Sequence, residues 1–254
     1  MGAIRIAVVL VGAALFVAEV AQAATAQVTA SADSFVSAAN PNNNYGSAGG
    51  LEISAVGSSN GEFQTLIRFD ASAALAGFNA TFGAGNWALQ SATLALTPTA
   101  PNNVIFNANA PGSFAVRWMQ NDGWLEGTGT PQAPALAGIT YNTLSSFLGP
   151  SDVALGSFSY DGASSGAFTY NLALDPALVS DISAGGSVSL RLSAADSAVS
   201  YIANSRNFGT ASSRPQLVLS AAAVPEPGML SLLVLGPLLL GNSRRGSRAG
   251  CLAP

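Results

Sequence analysis

The sequence predicts an all-β protein in which antiparallel strands form two packed sheets. Three observations lead to this fold class. Apolar residues alternate with a period of two in many short segments, and Gly, Asn, Ser and Pro separate those segments. Helix signals are few and short. Alternation over many short segments with turn residues between them is typical of antiparallel sheets that bury one face each.

The predicted strands follow one another through residues 62–219. The clearest segment, 62–70, carries its large side chains at every second position, and later segments repeat the pattern. These faces are Phe63, Thr65, Ile67 and Phe69; Ala92, Leu94 and Leu96 within 91–97; Phe114, Val116 and Trp118; Phe168, Tyr170 and Leu172; Val188, Leu190 and Leu192; and a last strand at 217–219. Burial of one large side chain contributes about 1.5–3 kcal/mol. We therefore expect both sheets to face one shared core.

Two short helices are predicted between the strands. Asp175 is a suitable N-cap for a helix that begins with Pro176 and reaches Ile182. A second turn of helix is expected within 143–148. Neither is long enough to carry a fold.

Residues 1–23 have the pattern of a secretory signal peptide. Arg5 precedes an apolar run at 6–17, and Ala21 and Ala23 are the small residues of a cleavage site. The alternative is a permanent membrane helix. The run is short and ends in the cleavage pattern, which favours the signal peptide.

A second apolar segment, 228–241, lies near the other end of the chain. As a helix it would be roughly 21 Å long, whereas a hydrocarbon core is about 30 Å thick, and Pro237 interrupts it. The segment therefore suits a temporary anchor better than a permanent one. Arg244, Arg245 and Arg248 would keep its far side in the cytoplasm.

Pro225-Glu226-Pro227, this apolar segment and the arginine cluster together resemble the PEP-CTERM sorting signal of Gram-negative bacteria. The resemblance implies recognition by an exosortase, transient insertion in the inner membrane, loss of the tail, and delivery to the cell surface or an exopolysaccharide matrix. An unprocessed hydrophobic tail is the alternative. The expected organisation is a signal peptide at 1–23, a β-domain at 24–220, a linker at 221–227, a sorting helix at 228–241 and a basic cytoplasmic tail at 242–254.

The charged residues of the domain exclude several functions. Residues 24–223 hold eleven acids, five arginines and no lysine, a balance that cannot build the positive field needed for nucleic acid. The same residues contain no His and no Cys, so triads, Cys-His pairs, imidazole-bound metals and Schiff bases are ruled out. A carboxylate pair of the glycosidase kind remains, but eleven acids always allow one to be drawn. We expect no enzyme.

Several segments of the domain together resemble DNRLRE-type domains, which belong with a family of carbohydrate-binding modules. They include Ala32-Asp-Ser-Phe-Val and Asn40-Pro-Asn-Asn-Asn-Tyr-Gly46, then Leu66-Ile-Arg-Phe-Asp70 and Ser91-Ala-Thr-Leu-Ala-Leu96, then Asp122-Gly-Trp-Leu-Glu-Gly-Thr128, and finally Ser205-Arg-Asn-Phe208 with Arg214-Pro-Gln-Leu-Val218. The resemblance implies a jelly-roll-like β-sandwich. It also allows polysaccharide binding assisted by structural calcium.

Aromatic residues near turns are the candidates for sugar contact, because the C–H face of a sugar stacks on an exposed ring. The candidates are Trp124, Tyr141, Tyr45 and Trp87. For Trp124 the alternative is a plug at the end of the sandwich, and Trp87 stands at a strand entrance. Trp118 alternates with core positions and is expected inside.

Asp33 and the asparagine-rich loop after it have two interpretations. Asp33, Asn40, Asn42 and Asn44 offer the oxygen ligands that Ca²⁺ prefers, although no EF-hand spacing is present. Alternatively the asparagines bond to nearby backbone and make the loop rigid. Arg68 and Asp70 are expected to make structural hydrogen bonds.

Three functions follow from these observations. The first is a non-catalytic surface or matrix module that binds acidic or neutral polysaccharide. The second is a structural matrix protein without a specific glycan ligand, and the third is a small lyase or hydrolase. An exposed aromatic strip would favour the first, whereas a Ser/Thr/Ala surface without one would favour the second.

Overall fold

The computed structural model describes residues 23–224, which form ten strands and three α-helices. The strands are β1 Ala23–Ser37, β2 Gly50–Ser54, β3 Phe63–Asp70, β4 Trp87–Leu96, β5 Gly112–Met119, β6 Val153–Tyr160, β7 Phe168–Leu172, β8 Ser187–Ala194, β9 Ser200–Asn204 and β10 Gln216–Ala223. The helices are α1 Ser72–Phe82, α2 Tyr141–Leu144 and α3 Pro176–Ala184, with 3₁₀ turns at Ser145–Phe147 and Ala211–Ser213.

All strand pairs are antiparallel, and β1 belongs to both sheets. Its first half pairs with β10, which continues to β4 and β7 and makes the first sheet. Its second half pairs with β3, which continues to β8, β5 and β6 and makes the second sheet. The register shifts between Ala30 and Ala32, where β1 passes from one sheet to the other. β2 extends the second sheet from the end of β3 and pairs with β9.

The two sheets bury one continuous core between them. Leu94, Leu217 and Leu219 of the first sheet belong to the same buried cluster as Ile67 and Leu190 of the second. Phe114 lies at ring-centroid distances of 5.0 Å from Tyr170 and 5.5 Å from Tyr201. The all-β, antiparallel two-sheet prediction is confirmed.

The six strands predicted from alternation are all present, and four others, β1, β2, β6 and β9, were not predicted from it. β2 and β9 are buried at every position, so they show no alternation. β6 carries Gly156 beside a shift in its register with β5, which interrupts its pattern.

Two of the three α-helices were predicted from the sequence and one was not. Asp175 caps α3, since its Oδ1 accepts a hydrogen bond from the Ala177 N–H at 2.8 Å. The turn expected within 143–148 is made by α2 and the following 3₁₀ turn. α1 was not predicted, because it follows Ala71, which makes no side-chain cap, and it has no charge in its end turns.

The predicted signal and sorting segments lie outside the described residues, apart from Ala23, which begins β1 and pairs with Ala222. This applies to the flanking helices, to Ala21, and to the sorting residues Pro225, Glu226, Pro227, Arg244 and Arg245. Within 23–224, no helix is both long enough and apolar enough to span a membrane.

Replacement of Asp175 tests whether its side chain stabilises α3 as the N-cap. Asp175→Ala removes the acceptor for the Ala177 N–H, so we expect about 1 kcal/mol less free energy of unfolding in urea. Asp175→Asn keeps an acceptor at the same point and should lose clearly less. Equal losses in the two variants would show that the cap bond does not stabilise α3.

Candidate functional site

The segment that follows β5 folds back over the outer face of the second sheet. Its anchor is Trp124, which is 0% exposed and packs with Leu66 and Met119 of that face. The indole N–H donates to Ser189 Oγ at 3.0 Å. The guanidinium of Arg68 lies 4.8 Å from the ring centroid. A buried ring presents no face to a sugar, so Trp124 is a plug and its assignment to sugar contact is corrected.

Tyr45 and Trp87 also pack against the protein itself. Tyr45 is 2% exposed and stacks on Phe35 with ring centroids 4.6 Å apart, so it too is corrected to a core residue. Trp87 is partly exposed, lies 5.0 Å from the Phe78 ring, and donates its indole N–H to Asn79 Oδ1 at 2.8 Å. Trp118 is in the core, as predicted.

Tyr141 is the sugar candidate that reaches the open part of the second sheet's outer face. It is partly exposed, and its hydroxyl donates to Glu62 Oε2 at 2.7 Å. This bond to a carboxylate raises the pKa of the tyrosine. Glu62 Oε1 accepts from Gln64 Nε2, also at 2.7 Å. The hydroxyl, the carboxylate and the amide therefore form one chain of hydrogen bonds.

The asparagine loop is held together by the buried side chain of Asn44. Its Nδ2 donates to the carbonyls of Glu126 (2.7 Å) and Ile139 (2.8 Å), and its Oδ1 accepts from the N–H groups of Gly46 (3.1 Å) and Gly129 (3.2 Å). A Cβ on Gly127 would come within 2.1 Å of this Oδ1, so only glycine allows the close approach.

Two of the four proposed calcium ligands already accept hydrogen bonds within the protein. Asn44 Oδ1 is already occupied, and the Oδ1 of exposed Asn42 accepts from Asn142 Nδ2 at 2.8 Å. Asn40 caps a turn with its backbone N–H on Ser37 O. In the described part of the chain, no group of three or more His, Cys, Asp or Glu side chains is arranged to hold a metal ion. The rigid-loop interpretation describes this loop.

Asp33, the remaining calcium candidate, belongs to a buried charge cluster. Its Oδ2 accepts from the Arg206 backbone N–H at 2.6 Å, and its own N–H donates to Glu126 Oε1 at 3.0 Å. Arg206 binds Glu126 with two nitrogens, at 2.5 and 2.6 Å. Burial raises the pKa of Asp33 to about 7. The cluster ties β1 to the segments on either side of it.

A second buried carboxyl, Glu52 on β2, was not singled out in the sequence. It is 0% exposed, and Oε1 accepts from the Asn107 N–H at 3.0 Å. Oε2 is buried and has no hydrogen-bond partner among the described residues. Burial raises the pKa of Glu52 to about 8, so the group is largely protonated at neutral pH.

Two arginines face each other on the outer surface of the second sheet. Arg117 of β5 and Arg191 of β8 are directly opposite in the register, and their neighbours Val116 and Leu192 point into the core. Opposite side chains on one face lie about 5 Å apart at Cβ. Burial, and next to it the charge of Arg117, lowers the pKa of Arg191.

Neither arginine makes an ion pair, although the charges of Asp152 and Glu62 partly offset the lowering of the Arg191 pKa. Arg117 donates to the Asp152 carbonyl at 2.6 Å and Arg191 to Gln64 Oε1 at 3.3 Å, while Arg191 Nε is buried without a partner. Within 23–224, the Arg206–Glu126 contact is the sole ion pair. Single-sequence reasoning missed this site because alternation places both arginines outward but does not show that β5 pairs with β8.

An open depression of about 300 Å³ adjoins this surface. Glu62 lines it together with Val56, Asp196 and Ser197. Glu62 thus connects the depression to Gln64, and through Gln64 to Arg191. We call Glu62, Gln64, Arg117, Tyr141 and Arg191 the arginine face.

No aromatic side chain of the described residues is fully exposed. The partly exposed rings are Phe82, Trp87, Tyr141, Phe147, Phe158, Phe168 and Phe208. Phe147 lies with Leu125, Ile139 and Thr143 around an apolar depression of about 130 Å³. The exposed aromatic strip expected of a sugar-stacking surface is therefore not present in 23–224.

The fold and this surface define a class: a β-sandwich module that presents a polar, open face rather than a closed pocket. Comparison with protein families makes the class specific, since the model of carbohydrate-binding module family 96 matches residues 24–221. The chain belongs to carbohydrate-binding module family 96. No curated protein sequence matches it significantly.

Removal of the Asn44 side chain separates the rigid-loop role from a calcium role. Asn44→Ala leaves four backbone groups without partners, each of which costs about 1–3 kcal/mol when buried, so we expect a loss of about 3 kcal/mol or more. Asn42→Ala, at an exposed position, should change stability by about 0.5 kcal/mol or less. For each of the three proteins, the urea midpoint measured in calcium should equal the midpoint measured in chelator. A calcium-dependent rise in the midpoint of the parent that Asn44→Ala abolishes would contradict the rigid-loop role.

The two buried carboxyls predict the pH dependence of stability. Asp33 and Glu52 have folded-state pKa values of about 7 and about 8, above the values of 3.8 and 4.5 that apply without burial. Their contribution to stability is therefore complete below about pH 4 and is lost as the pH rises through 7 and 8.

Glu52→Gln removes one of these titrations. We expect urea unfolding of the variant to depend less on pH between about 5 and about 9, and the variant to exceed the parent in stability at the alkaline end. Parallel stability curves for variant and parent would show that Glu52 titrates normally in the folded protein.

Proposed function

We propose that this protein is a non-catalytic, exported polysaccharide-binding module that holds acidic sugar chains on the arginine face. The observation that carries the proposal is the pairing of Arg117 with Arg191 without a carboxylate partner for either. Membership of a carbohydrate-binding family supports the general class of ligand.

The arginine pair favours an anionic ligand for an energetic reason. Like charges directly opposite each other on a sheet are destabilising, and half-burial increases the cost because it removes water from both. The domain has eleven acids in 24–223, so partners were available in its composition. A carboxylate or sulfate on a sugar would supply the missing charge, and arginine binds such groups with two parallel hydrogen bonds.

The neighbours of the arginines suit the rest of a sugar residue. Glu62, Gln64 and Tyr141 offer acceptors and donors for hydroxyl groups at the edge of the pair, and their mutual hydrogen bonds hold them in position. The local positive charge also lets an acidic polymer approach a domain with net negative charge, without a bridging calcium ion.

The export route of the proposal rests on the sequence. The signal peptide at 1–23 and the PEP-CTERM-like tail support passage through the inner membrane, processing by an exosortase, and residence at the surface or in the exopolysaccharide matrix of a Gram-negative bacterium. The resemblance to DNRLRE-type domains supports the jelly-roll variety of β-sandwich. The module would bind matrix polysaccharide where it is delivered.

A second candidate is a structural matrix protein without a specific glycan. The observation in its favour is the lack of a fully exposed aromatic ring in 23–224, because stacking platforms are the usual means of sugar capture. A glycan panel distinguishes the two: a structural module binds no member of the panel, with or without calcium. Incubation with bound polymers should yield no new reducing or unsaturated ends if the module is non-catalytic.

Substitution of the arginine pair tests the main proposal. Hydrogen bonds to charged groups contribute about 1.5–3 kcal/mol each, so Arg117→Gln and Arg191→Gln should each weaken binding of uronic-acid oligosaccharides by roughly tenfold or more in calorimetry. Affinity of the parent should fall as salt is raised, since the contact is ionic. Arg214→Gln is the matched control, because Arg214 bonds to the Phe208 carbonyl away from the arginine face.

Two results would contradict this assignment. If the parent and both arginine-face variants bind uronic-acid oligosaccharides with equal affinity, the acidic ligand binds at another site. Absence of binding to any acidic oligosaccharide would remove the proposal and favour the structural alternative.

A further inference from the structure

A second polar pocket lies on the protein, lined by none of the residues of the arginine face. It has a volume of about 110 Å³ and is lined by Gly49, Gly50, Asn102, Asn103, Phe106 and Gln132, among others. We call it the amide pocket. Its lining contains no charged side chain.

We propose that the amide pocket binds a single neutral sugar unit, so that the module has two carbohydrate sites of different charge preference. Asn103 Nδ2 donates to Asn102 Oδ1 at 2.9 Å, and Asn103 Oδ1 accepts from the Ile105 N–H at 3.1 Å. Asn102 Nδ2 and the Gln132 amide then offer uncharged hydrogen-bonding groups to sugar hydroxyls. Partly exposed Pro131 adds an apolar side to the same pocket, whereas Phe106 and Ala48, which are 5% and 3% exposed, contribute little surface. Sugars combine an apolar C–H face with a polar edge, and this lining has the same two parts.

The size of the pocket limits the ligand. Pockets that enclose a drug-sized ligand have about 300–1,000 Å³, and this one is well below that range. It therefore takes one unit at the end of a chain or on a branch, not a continuous stretch. The absence of charge in the lining gives a uronic acid no partner there and favours a neutral hexose.

Hydrogen bonds hold in place the loop that carries Asn102, Asn103 and Phe106 on one side of the pocket. The Phe106 carbonyl accepts from Asn60 Nδ2 at 2.8 Å, and the Asn107 N–H donates to buried Glu52 at 3.0 Å. Asn107 Nδ2 donates to Ser54 Oγ at 3.0 Å. These bonds hold the loop that carries Asn102 and Asn103, so a ligand need not order it.

Hydrogen bonds also hold the segments that carry Gly49 and Gln132. The Ser47 N–H donates to Gly129 O at 2.8 Å and the Thr130 N–H to Ala133 O at 3.0 Å, which positions the turn that bears Gln132. The Ser205 N–H donates to Gly49 O at 3.2 Å. Exposed Asn102 and Gln132 then present their amides to the pocket from opposite segments.

The glycines at the base provide a direct test. A Cβ at Gly50 would come within 3.2 Å of the Phe106 ring, whereas a Cβ at Gly49 would meet no atom within 4 Å. The φ angle of Gly49 lies outside the left-handed region. Gly49→Leu therefore adds a bulky side chain to the lining of the pocket without a clash or backbone strain. Gly77→Leu, on the exposed side of α1, is the matched control.

The experiment measures binding of the full-length protein to neutral and acidic oligosaccharides by calorimetry. The neutral probes are cellohexaose, laminarihexaose and mannohexaose, and the acidic probe is a uronic-acid hexasaccharide. At least one neutral probe should bind the parent. Gly49→Leu should weaken that binding at least tenfold and Gln132→Ala several-fold, with melting temperature and acidic-probe affinity unchanged. Gly77→Leu should bind both probes as the parent does.

Loss of binding at one of the two sites should leave binding at the other unchanged. The amide-pocket proposal rests on the proposed function only in assuming that the ligands are carbohydrates. It does not depend on the arginine face. The double variant Arg117→Gln, Arg191→Gln should therefore bind neutral probes as the parent does. Absence of binding to all three neutral probes would overturn the amide-pocket proposal. So would neutral binding that Gly49→Leu and Gln132→Ala leave unchanged, whatever the acidic probe does.

Discussion

The structure depends on the buried carboxamide of Asn44. Its four hydrogen bonds reach backbone groups of Gly46, Glu126, Gly129 and Ile139, so one side chain joins the loop after β1 to the long segment after β5. Glycine at 127 lets the chain approach it closely. These four bonds add to the backbone hydrogen bonds between the two stretches, such as Ser47 N–H to Gly129 O, and help offset the conformational entropy lost when they are ordered.

The junction gives the second sheet a covered half and an open half. Trp124, Ile139 and Leu144 pack on Leu66 and Met119 and close one half to water. The other half keeps the arginine face, and the margin of the cover supplies Tyr141 to it and the Asp152 carbonyl to Arg117. The same cover carries the turn of Gln132 to the amide pocket. Both candidate sites are therefore formed where long segments meet strands, which is where backbone groups and side chains of distant residues converge.

Charge is distributed in a way that net charge does not reveal. The described domain is acidic, yet two of its carboxyls, Asp33 and Glu52, are buried with raised pKa values, so at neutral pH Asp33 carries only part of its charge and Glu52 little. Partly exposed Arg206 is bound to Glu126, whereas Arg117 and Arg191, also partly exposed, make no ion pair. Desolvation and pairing thus leave a positive surface on an acidic protein.

The sequence by itself determined the fold class, most strands, the α3 cap at Asp175 and the core position of Trp118, because these follow from alternation and from contacts within a few residues. It also excluded the chemistry that needs His, Lys or Cys in the domain. Tertiary structure alone decided that Trp124 and Tyr45 are buried, that Asn44 bonds backbone instead of offering an oxygen to calcium, and that Arg117 faces Arg191. Those outcomes depend on which strands pair and which segments cover them, and the contacts of Trp124, Arg117 and Asn44 join residues 65 to 95 positions apart. Local patterns carry no information about partners at that separation.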